Sequence, residues 1–230
     1  MKKVIIFVVA ALLVSSCIWK HHSKSRLRPL PVANEEVGVK YFNTVSIAGG
    51  VDVVYIQGTR NYVKFEGPES SLKHYGIEVE GEELHIAPRD NVFKTFTGAD
   101  DVKIIVSSTD LVEVKIAGSG EFRMNTPLDT DNLRVKVAGS GDVDLADVIC
   151  DNISCDIAGS GDIKVRSVTA GNAMLSIAGS GDMEMNFKNC GTVKTKIAGS
   201  GDIKLKGKTG HFDSKIAGSG TVDTSELITN

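Results

Sequence analysis

The chain has 230 residues, a formal net charge of −3 at pH 7 and a sequence pI near 6.0. This balance argues against a nucleic-acid-binding protein, because such proteins usually carry an excess of basic residues. Aromatic residues make up only 6% of the chain, so a folded core must be built mainly from Val, Ile, Leu and Met.

The first 16 residues have the features of a secretory signal peptide. Lys2 and Lys3 precede an apolar stretch at 4–14, whose 11 residues are too few for a membrane-spanning helix. The sequence VSSC at 14–17 resembles the lipobox of bacterial lipoproteins. The resemblance implies cleavage before Cys17 and lipidation of that cysteine; an ordinary secretory signal is the alternative. Acyl chains would hold the protein at a membrane, since each buried CH₂ contributes about 0.8 kcal/mol.

Residues 17–37 are predicted to form a flexible tether behind the lipidated cysteine. The segment has no hydrophobic period, and it carries four Lys or Arg residues between 18 and 28. This basic cluster would favour an anionic membrane surface by about 1 kcal/mol per charge. Ile18 stands where enterobacterial lipoproteins of the inner membrane carry Asp, so the outer membrane is the expected location. The sequence leaves open whether the protein faces the periplasm or the cell surface.

Residues 38–111 are predicted to be the irregular part of a single all-β domain that spans 38–230. An IAGG sequence at 47–50 lies between two alternating runs, further strands are expected at 62–67, 77–88 and 101–108, and a hairpin is expected near Gly81. This part is longer than three regular coils would need. We therefore expect wider coils or inserted hairpins, with a cap at one end of the stack, and a loop at 88–100.

A six-residue motif of the form I/V-A-G-S-G-D/E/T recurs through the regular part of the domain, residues 112–225. Its copies start at 116, 137, 157, 177, 197 and 216. So constant a period predicts a repeat architecture. The alternating apolar residues on both sides of each copy predict two strands, joined by a turn in which glycine permits positive φ.

Stacking the repeats in register places apolar residues in columns, which predicts a parallel β-helix or related β-solenoid with about 20 residues per coil. The outward residues after the turn alternate in charge at every step: Arg123, Asp144, Lys164, Glu184, Lys204 and Asp223. Opposite charges would then pair between strands ~4.8 Å apart. A string of antiparallel hairpins is the alternative arrangement, but the constant period favours the solenoid.

The lipobox, the sequence YFNTVSIAGGVDVVYIQG at 41–58 and the serial AGSGD strands are together similar to the auto-transporter adhesin "head GIN domain" family, common in Bacteroidetes. The resemblance covers roughly residues 38–225. It implies an all-β, solenoid-like extracytoplasmic domain. It supplies no catalytic residues and no cofactor.

Calcium binding is one alternative function. The GSGD sequence resembles the RTX repeat, whose aspartates and turn carbonyls bind Ca²⁺ in a β-roll. The candidate cation ligands are Asp142, Asp162, Asp182 and Asp202, which would stack one per coil. Only one turn per coil is rich in glycine, however, and Thr221 interrupts the row. The structural alternative is that each aspartate accepts hydrogen bonds from nearby turn N–H groups.

A glycan-active enzyme is the second alternative, because β-helices can carry such sites. The turn serines are poor candidates for its nucleophile, because they recur six times and an active site needs only one. Cys150, Cys155 and Cys190 are poor candidates for metal ligands, because they lack the spacing of a metal site. Cys150 and Cys190 would lie two coils apart, too far for a disulfide. One outward column before the turn could contact an anionic glycan, although a solvated lysine face is the simpler interpretation: Lys115, Lys136, Asp156, Ser176, Lys196 and Lys215.

The sequence therefore favours a lipid-anchored β-solenoid of the cell envelope with a binding or structural role, such as adhesion or glycan contact. We expect no catalytic activity and no cofactor. The expected partners are a membrane, through the lipid, and a glycan or envelope protein, with no nucleic acid.

Overall fold

The computed structural model describes residues 27–29, 35–68, 74–89 and 102–230. The regular elements in these ranges are β-strands: β1 (Arg28–Pro29), β2 (Glu36–Gly38), β3 (Thr44–Gly49), β4 (Asp52–Gln57), β5 (Tyr62–Glu66), β6 (Tyr75–Glu80), β7 (Glu83–Pro88), β8 (Lys103–Ser108), β9 (Glu113–Gly118), β10 (Glu121–Asp129), β11 (Asn132–Gly139), β12 (Asp142–Gly159), β13 (Ile163–Gly179), β14 (Met183–Gly199), β15 (Ile203–Gly218) and β16 (Val222–Thr229). The predicted signal peptide, Cys17 and most of the predicted 88–100 loop lie outside the described residues. Of the residues that are described, none forms a helix long and apolar enough to span a membrane.

The repeats form a parallel β-solenoid, as the sequence predicted, and not a string of hairpins. Each repeat pairs in parallel with the same positions of the next: Ile157 lies opposite both Val137 and Ile177. The register advances by one repeat per coil from β9 to β15. Each strand therefore lies on the equivalent strand of the neighbouring coil.

Each coil has three sides. In β12 the alternation of buried and exposed residues breaks between Leu145 and Val148, and again between Cys150 and Ile153. These two breaks and the glycine turn divide the coil into a post-turn side (142–146 in this coil), a middle side (147–151) and a pre-turn side (152–159). The inward residues of all three sides form one continuous hydrophobic core.

The middle side was not foreseen from the sequence. Its inward positions form two further columns, Leu128, Val148, Val168 and Phe187, and Cys150, Ala170, Cys190 and Thr209. All eight side chains are buried. Since a fully buried large aliphatic or aromatic side chain contributes about 1.5–3 kcal/mol, these columns add substantially to the stability of the stack.

The glycine turn brings successive coils into backbone contact. A Cβ atom on Gly159 or Gly161 would overlap the carbonyl oxygen of Gly139 or Gly141 in the preceding coil. Gly159 also has a φ of 139°, in the region that favours glycine. The turn is closed by hydrogen bonds between coils, such as the 2.8 Å bond from the Ser160 N–H to the Gly139 carbonyl. Both glycines of the motif are therefore required by the close approach of the backbones.

The N-terminal part caps the stack. β3 and β4 carry the IAGG turn and lie directly on β9 and β10, with Ile47 opposite Ile116 and Gly49 opposite Gly118. β7 and β8 lie in parallel on β3 and β4 and form one more level. β6 and β5 then run antiparallel to β7 and β8. The predicted hairpin at Gly81 joins β6 to β7, so the irregular segment contains inserted antiparallel strands.

Part of the predicted tether joins this cap. β1 pairs antiparallel with β6, and β2 pairs antiparallel with β5. Residues 28–29 and 36–38 therefore form backbone hydrogen bonds at the edge of the sheet, where free N–H and C=O groups are available to any nearby extended chain. The paired domain begins upstream of residue 38.

The predicted charge ladder is confirmed in register, but its ion pairs are mostly diagonal. The six alternating residues lie in one cross-strand row. Lys164 pairs with Glu184 of the next coil at 3.2 Å, whereas Asp144 is bound by Arg166 at 2.6 Å. Long side chains can reach such diagonal neighbours. Exposed pairs of this kind each contribute at most about 1 kcal/mol.

Removal of one whole coil should leave a folded protein. Deletion of residues 160–179 joins Gly159 to Ser180 and keeps every inward column and both glycine columns in register. We expect a β-sheet circular dichroism spectrum and cooperative thermal unfolding. Deletion of 160–169 is the matched control, because it removes half a coil and should abolish cooperative unfolding. Loss of structure in both variants would contradict the one-repeat, one-coil architecture.

Candidate binding surfaces: the aspartate row and the lysine face

The four predicted cation ligands do form a row along the corner of the solenoid, but their carboxylates bind backbone. Asp142 Oδ1 accepts a hydrogen bond from the Asp162 N–H at 3.0 Å. Asp162 and Asp182 repeat this contact to the next coil, each at 2.9 Å. Each aspartate thus supplies the acceptor for the first amide after the turn of the following coil. This is the structural alternative that the sequence had left open.

Thr221 ends the row without interrupting its hydrogen bonding. Its N–H and its hydroxyl both donate to Asp202 Oδ1, each at 2.8 Å. At the other end, the Asp142 N–H donates to the Gly120 carbonyl at 3.1 Å, and the carboxylate of Glu121 pairs with Arg123. The hydrogen-bonded row therefore extends from Asp142 to Thr221.

Part of the row lines an open groove. Asp162, Asp182 and Asp202 lie along it together with Lys164, Glu184 and Lys204. Within the described ranges, no three His, Cys, Asp or Glu side chains are grouped so that they could hold a metal ion. Calcium binding at the row stays a prediction, and Cys17, the predicted lipidation site, lies outside the described residues.

The second surface is the outer face of the pre-turn side, which we call the lysine face. It carries the predicted column in which Lys115, Lys136, Asp156, Ser176, Lys196 and Lys215 are stacked in register. A neighbouring outward column adds Arg134 and Lys194. The same register identifies this second column from the sequence, because its residues recur at the same interval.

The N-terminal half of the lysine face is neutralised by carboxylates. Lys115 pairs with Glu83 at 3.0 Å and with Glu113 at 3.4 Å, and Lys136 pairs with Glu113 at 3.0 Å. Asp156 follows in the same column. Burial raises the pKa of Asp156 above its usual range, although a hydrogen bond from Ser154 partly opposes this effect.

The C-terminal half of the lysine face is different. Lys196 and Lys215 lie directly opposite each other on adjacent strands, and Lys194 lies two residues before Lys196. All three side chains are exposed, and in the described part of the chain none of them forms an ion pair. Asp213 is the register neighbour of Lys194. We call Lys194, Lys196 and Lys215 the lysine cluster; like charges directly opposite each other are destabilising, so an anion would stabilise it.

An asparagine ladder at the corner before the pre-turn side was missed at the sequence level. The side-chain amide of Asn152 donates to Asn132 Oδ1 at 2.8 Å, and that of Asn172 donates to Asn152 Oδ1 at 3.0 Å. The signal was present in the sequence, because the three residues are separated by exact repeats of 20. Like the aspartate row, this ladder binds coil to coil.

The three cysteines in the described ranges offer no nucleophile. Cys150, Cys155 and Cys190 are all free and buried. Burial raises the pKa of Cys150 to about 11 and also raises the pKa values of Cys155 and Cys190, so these groups stay protonated at neutral pH. Ala170 lies between Cys150 and Cys190 in the stack, which confirms that the two cysteines are two coils apart.

Comparisons with known proteins agree with this architecture. A family model described as "Putative auto-transporter adhesin, head GIN domain" matches residues 41–184 and 157–230. A "putative adhesin" from Bacteroides fragilis NCTC 9343 is 22% identical, with a TM-score of 0.69, over 85% of this chain and 96% of its own. A "putative adhesin" from Parabacteroides merdae ATCC 43184 is 21% identical, with a TM-score of 0.64, over 85% and 95%.

A third solved structure, a "putative lipid binding protein" from Parabacteroides distasonis ATCC 8503, is 24% identical, with a TM-score of 0.59, over 85% of this chain and 96% of its own. These likenesses show the fold. No curated protein matches the chain.

The hydrogen-bonded aspartate row predicts that stability is independent of calcium. The melting temperature of the full chain should be the same in EDTA as in millimolar calcium, because backbone N–H groups already bind one oxygen of each carboxylate. Circular dichroism at increasing temperature measures this directly, with magnesium as the control for ionic strength. A calcium-specific rise in the melting temperature would show instead that the row holds the ion.

Proposed function

Since the chain belongs to the family described as "Putative auto-transporter adhesin, head GIN domain", we propose that it is a lipid-anchored adhesin of the cell envelope that binds an anionic glycan through its lysine face. Family membership supports the coarser part of this proposal, a binding role at the envelope or surface. The lipid anchor and the glycan are the finer part, and they rest on the sequence and on the charges of the described surface.

The proposed anchor enters the domain at its capped end. Residues 28–29 and 36–38 pair with β6 and β5, the antiparallel strands of the cap. A chain lipidated at Cys17 would therefore hold the cap towards the membrane. The coil of β15 and β16 would lie at the far end of the stack, roughly 25–30 Å away at ~4.8 Å per coil. The lysine cluster belongs to the last two coils, so this orientation would present it away from the lipid.

The observation that carries the proposed ligand class is the register pairing of Lys196 with Lys215, since neither lysine forms an ion pair in the described part of the chain. These residues are paired in register with Lys194 beside them. The equivalent contact between Lys115 and Lys136 is neutralised by Glu83 and Glu113. A polyanion that followed the solenoid axis would meet ammonium groups ~4.8 Å apart on successive coils. Carboxylated or sulfated polysaccharides have the chemistry that such a cluster would bind.

The proposed role is non-catalytic. The family and the two structural neighbours described above are named for adhesion. In addition, the described thiols are buried with raised pKa values. The described surface of the solenoid presents regularly spaced charges on a rigid scaffold, and this arrangement suits a binding role.

Neutralisation of the lysine cluster should weaken binding to an anionic polysaccharide. We expect the full chain, purified in detergent, to bind immobilised polygalacturonate but not dextran, and to release it at high salt. The variant Lys194→Gln/Lys196→Gln should bind at least about tenfold more weakly, which corresponds to about 1.4 kcal/mol. Biolayer interferometry measures the difference.

The matched control is Lys204→Gln/Lys206→Gln, which removes the same charge from the post-turn side, where both lysines pair with glutamates. It should bind as the unaltered chain does. Equal loss in both variants, or no binding by the unaltered chain, would refute the lysine cluster as the glycan site.

The lipid anchor is tested separately, by fractionation of cells that produce the full chain. Cys17→Ala should move the protein from the membrane fraction to the soluble fraction. Retention of this variant in the membrane fraction would refute the anchor.

A further inference from the structure

The asparagine ladder of the pre-turn side ends one coil before the lysine cluster. Within the ladder, Asn132 Oδ1 accepts a hydrogen bond from Asn152, and Asn152 Oδ1 accepts one from Asn172. The next residue in this column is Thr192, and no donor in the described part of the chain binds Asn172 Oδ1. The last oxygen of the ladder is therefore a free acceptor on the outer face of the solenoid.

An exposed methionine lies beside this acceptor. Met174 follows Asn172 by two residues on the same outer face, and it lies in register with Lys194 of the lysine cluster. Its side chain is 46% exposed. The other members of its column are polar or charged: Arg134, Ser154, Lys194 and Asp213. The core of the solenoid therefore does not require an apolar residue at this position.

Two hydroxyl groups lie on the same part of the face. Thr192 is in register with Asn172, and Ser176 is in register with Lys196. Along one strand, the outward residues from 172 to 176 cover about 13 Å, and the next coil is ~4.8 Å away. The free acceptor, the methionine, the hydroxyls and the lysine cluster thus share one patch with the dimensions of a short stretch of glycan.

We propose that the anionic glycan of the lysine face contains N-acetylated amino sugars, and that Asn172 and Met174 bind the acetamido group beside the lysine cluster. This inference rests on the proposed function and names the class of glycan. The acetamido N–H donates to Asn172 Oδ1, and the acetyl methyl group packs on Met174. The acid group of the neighbouring sugar then lies one coil away, at Lys194 and Lys196.

An acetamido group matches the chemistry of these two side chains. It combines an N–H donor with a methyl group, and a sugar hydroxyl at the same carbon offers no methyl group to cover Met174. Outward residues two apart on a strand are about 6.6 Å from each other, and the flexible thioether of methionine adapts to the shape of its partner. Contact with the methyl group removes apolar surface of Met174 from water, which is favourable.

The coils nearer the cap do not present this combination. Asn132 Oδ1 and Asn152 Oδ1 already accept the hydrogen bonds of the ladder. Arg134 and Ser154 occupy the positions that are equivalent to Met174. The acetamido contact is therefore specific to the coil that adjoins the lysine cluster.

Hyaluronate tests this contact, because it alternates a uronate with an N-acetylated amino sugar, whereas polygalacturonate contains the uronate alone. The full chain, purified in detergent, should bind both immobilised polymers in biolayer interferometry. Met174→Ser introduces the side chain that the preceding coil carries at Ser154. It should weaken binding to hyaluronate at least about fivefold and leave binding to polygalacturonate unchanged. Asn172→Ala, which removes the acceptor, should have the same selective effect.

Each variant has a matched control. Ile149→Ser removes an apolar side chain of nearly the same exposure, 45%, from the middle side. Asn132→Ala removes one hydrogen bond of the ladder at its other end. Both controls should bind hyaluronate as the unaltered chain does, and thermal unfolding followed by circular dichroism verifies that all four variants are folded.

The two polymers separate failure of this inference from failure of the proposed function. Equal loss for both polymers, no loss in Met174→Ser and Asn172→Ala, or binding to polygalacturonate without binding to hyaluronate would overturn the acetamido contact and leave the lysine cluster as a site for uronates. Absence of binding to both polymers would overturn the contact together with the proposed function.

Discussion

The structure depends on the close approach of backbones at the glycine turn. At this corner, a Cβ atom on either glycine of a coil would overlap a carbonyl oxygen of the coil before it. The short distance allows the inter-coil hydrogen bonds of the turn, such as those that Gly139 and Gly159 accept from Ser160 and Ser180. It also brings each aspartate within reach of the amide above it. The repeated motif is therefore the corner of a scaffold, and its hydrogen bonds hold adjacent coils in register.

Most of the regular part could be predicted from the sequence, because one side chain per column repeats at a constant interval. The Ile116-to-Ile216 column and the alternating charges set the register, and the structure has the same register. The middle side could not be predicted, because its alternation shifts phase at both corners and its columns mix Leu128 with Phe187 and Cys150 with Thr209. Only the general features of the cap could be predicted. The pairing of β7 with β3 depends on a chain reversal, and no repeated sequence pattern marks that reversal.

The distribution of charges on the surface follows from the same register. Strict stacking places identical positions ~4.8 Å apart along the axis, so any charge that recurs becomes a row. On the post-turn side the signs alternate and neutralise each other. At the corner, the carboxylates bind amides. The C-terminal half of the lysine face carries three lysines that form no ion pair in the described chain, and it lies at the end of the described stack. The proposed glycan site is at this end of the molecule because the repeat leaves lysines without ion pairs there.

Gly161→Ala tests the close approach at the turn, because Gly161 has no positive φ and the added methyl group would overlap the coil before it, at the Gly141 backbone and at Val137 Cγ1. Ser160→Ala, one residue earlier and exposed, is the control. Urea unfolding followed by circular dichroism should show that Gly161→Ala lowers the free energy of unfolding by at least about 2 kcal/mol, and that Ser160→Ala changes it by less than about 0.5 kcal/mol. A Gly161→Ala variant as stable as the unaltered chain would contradict the claim that backbone contact at the turn sets the stack.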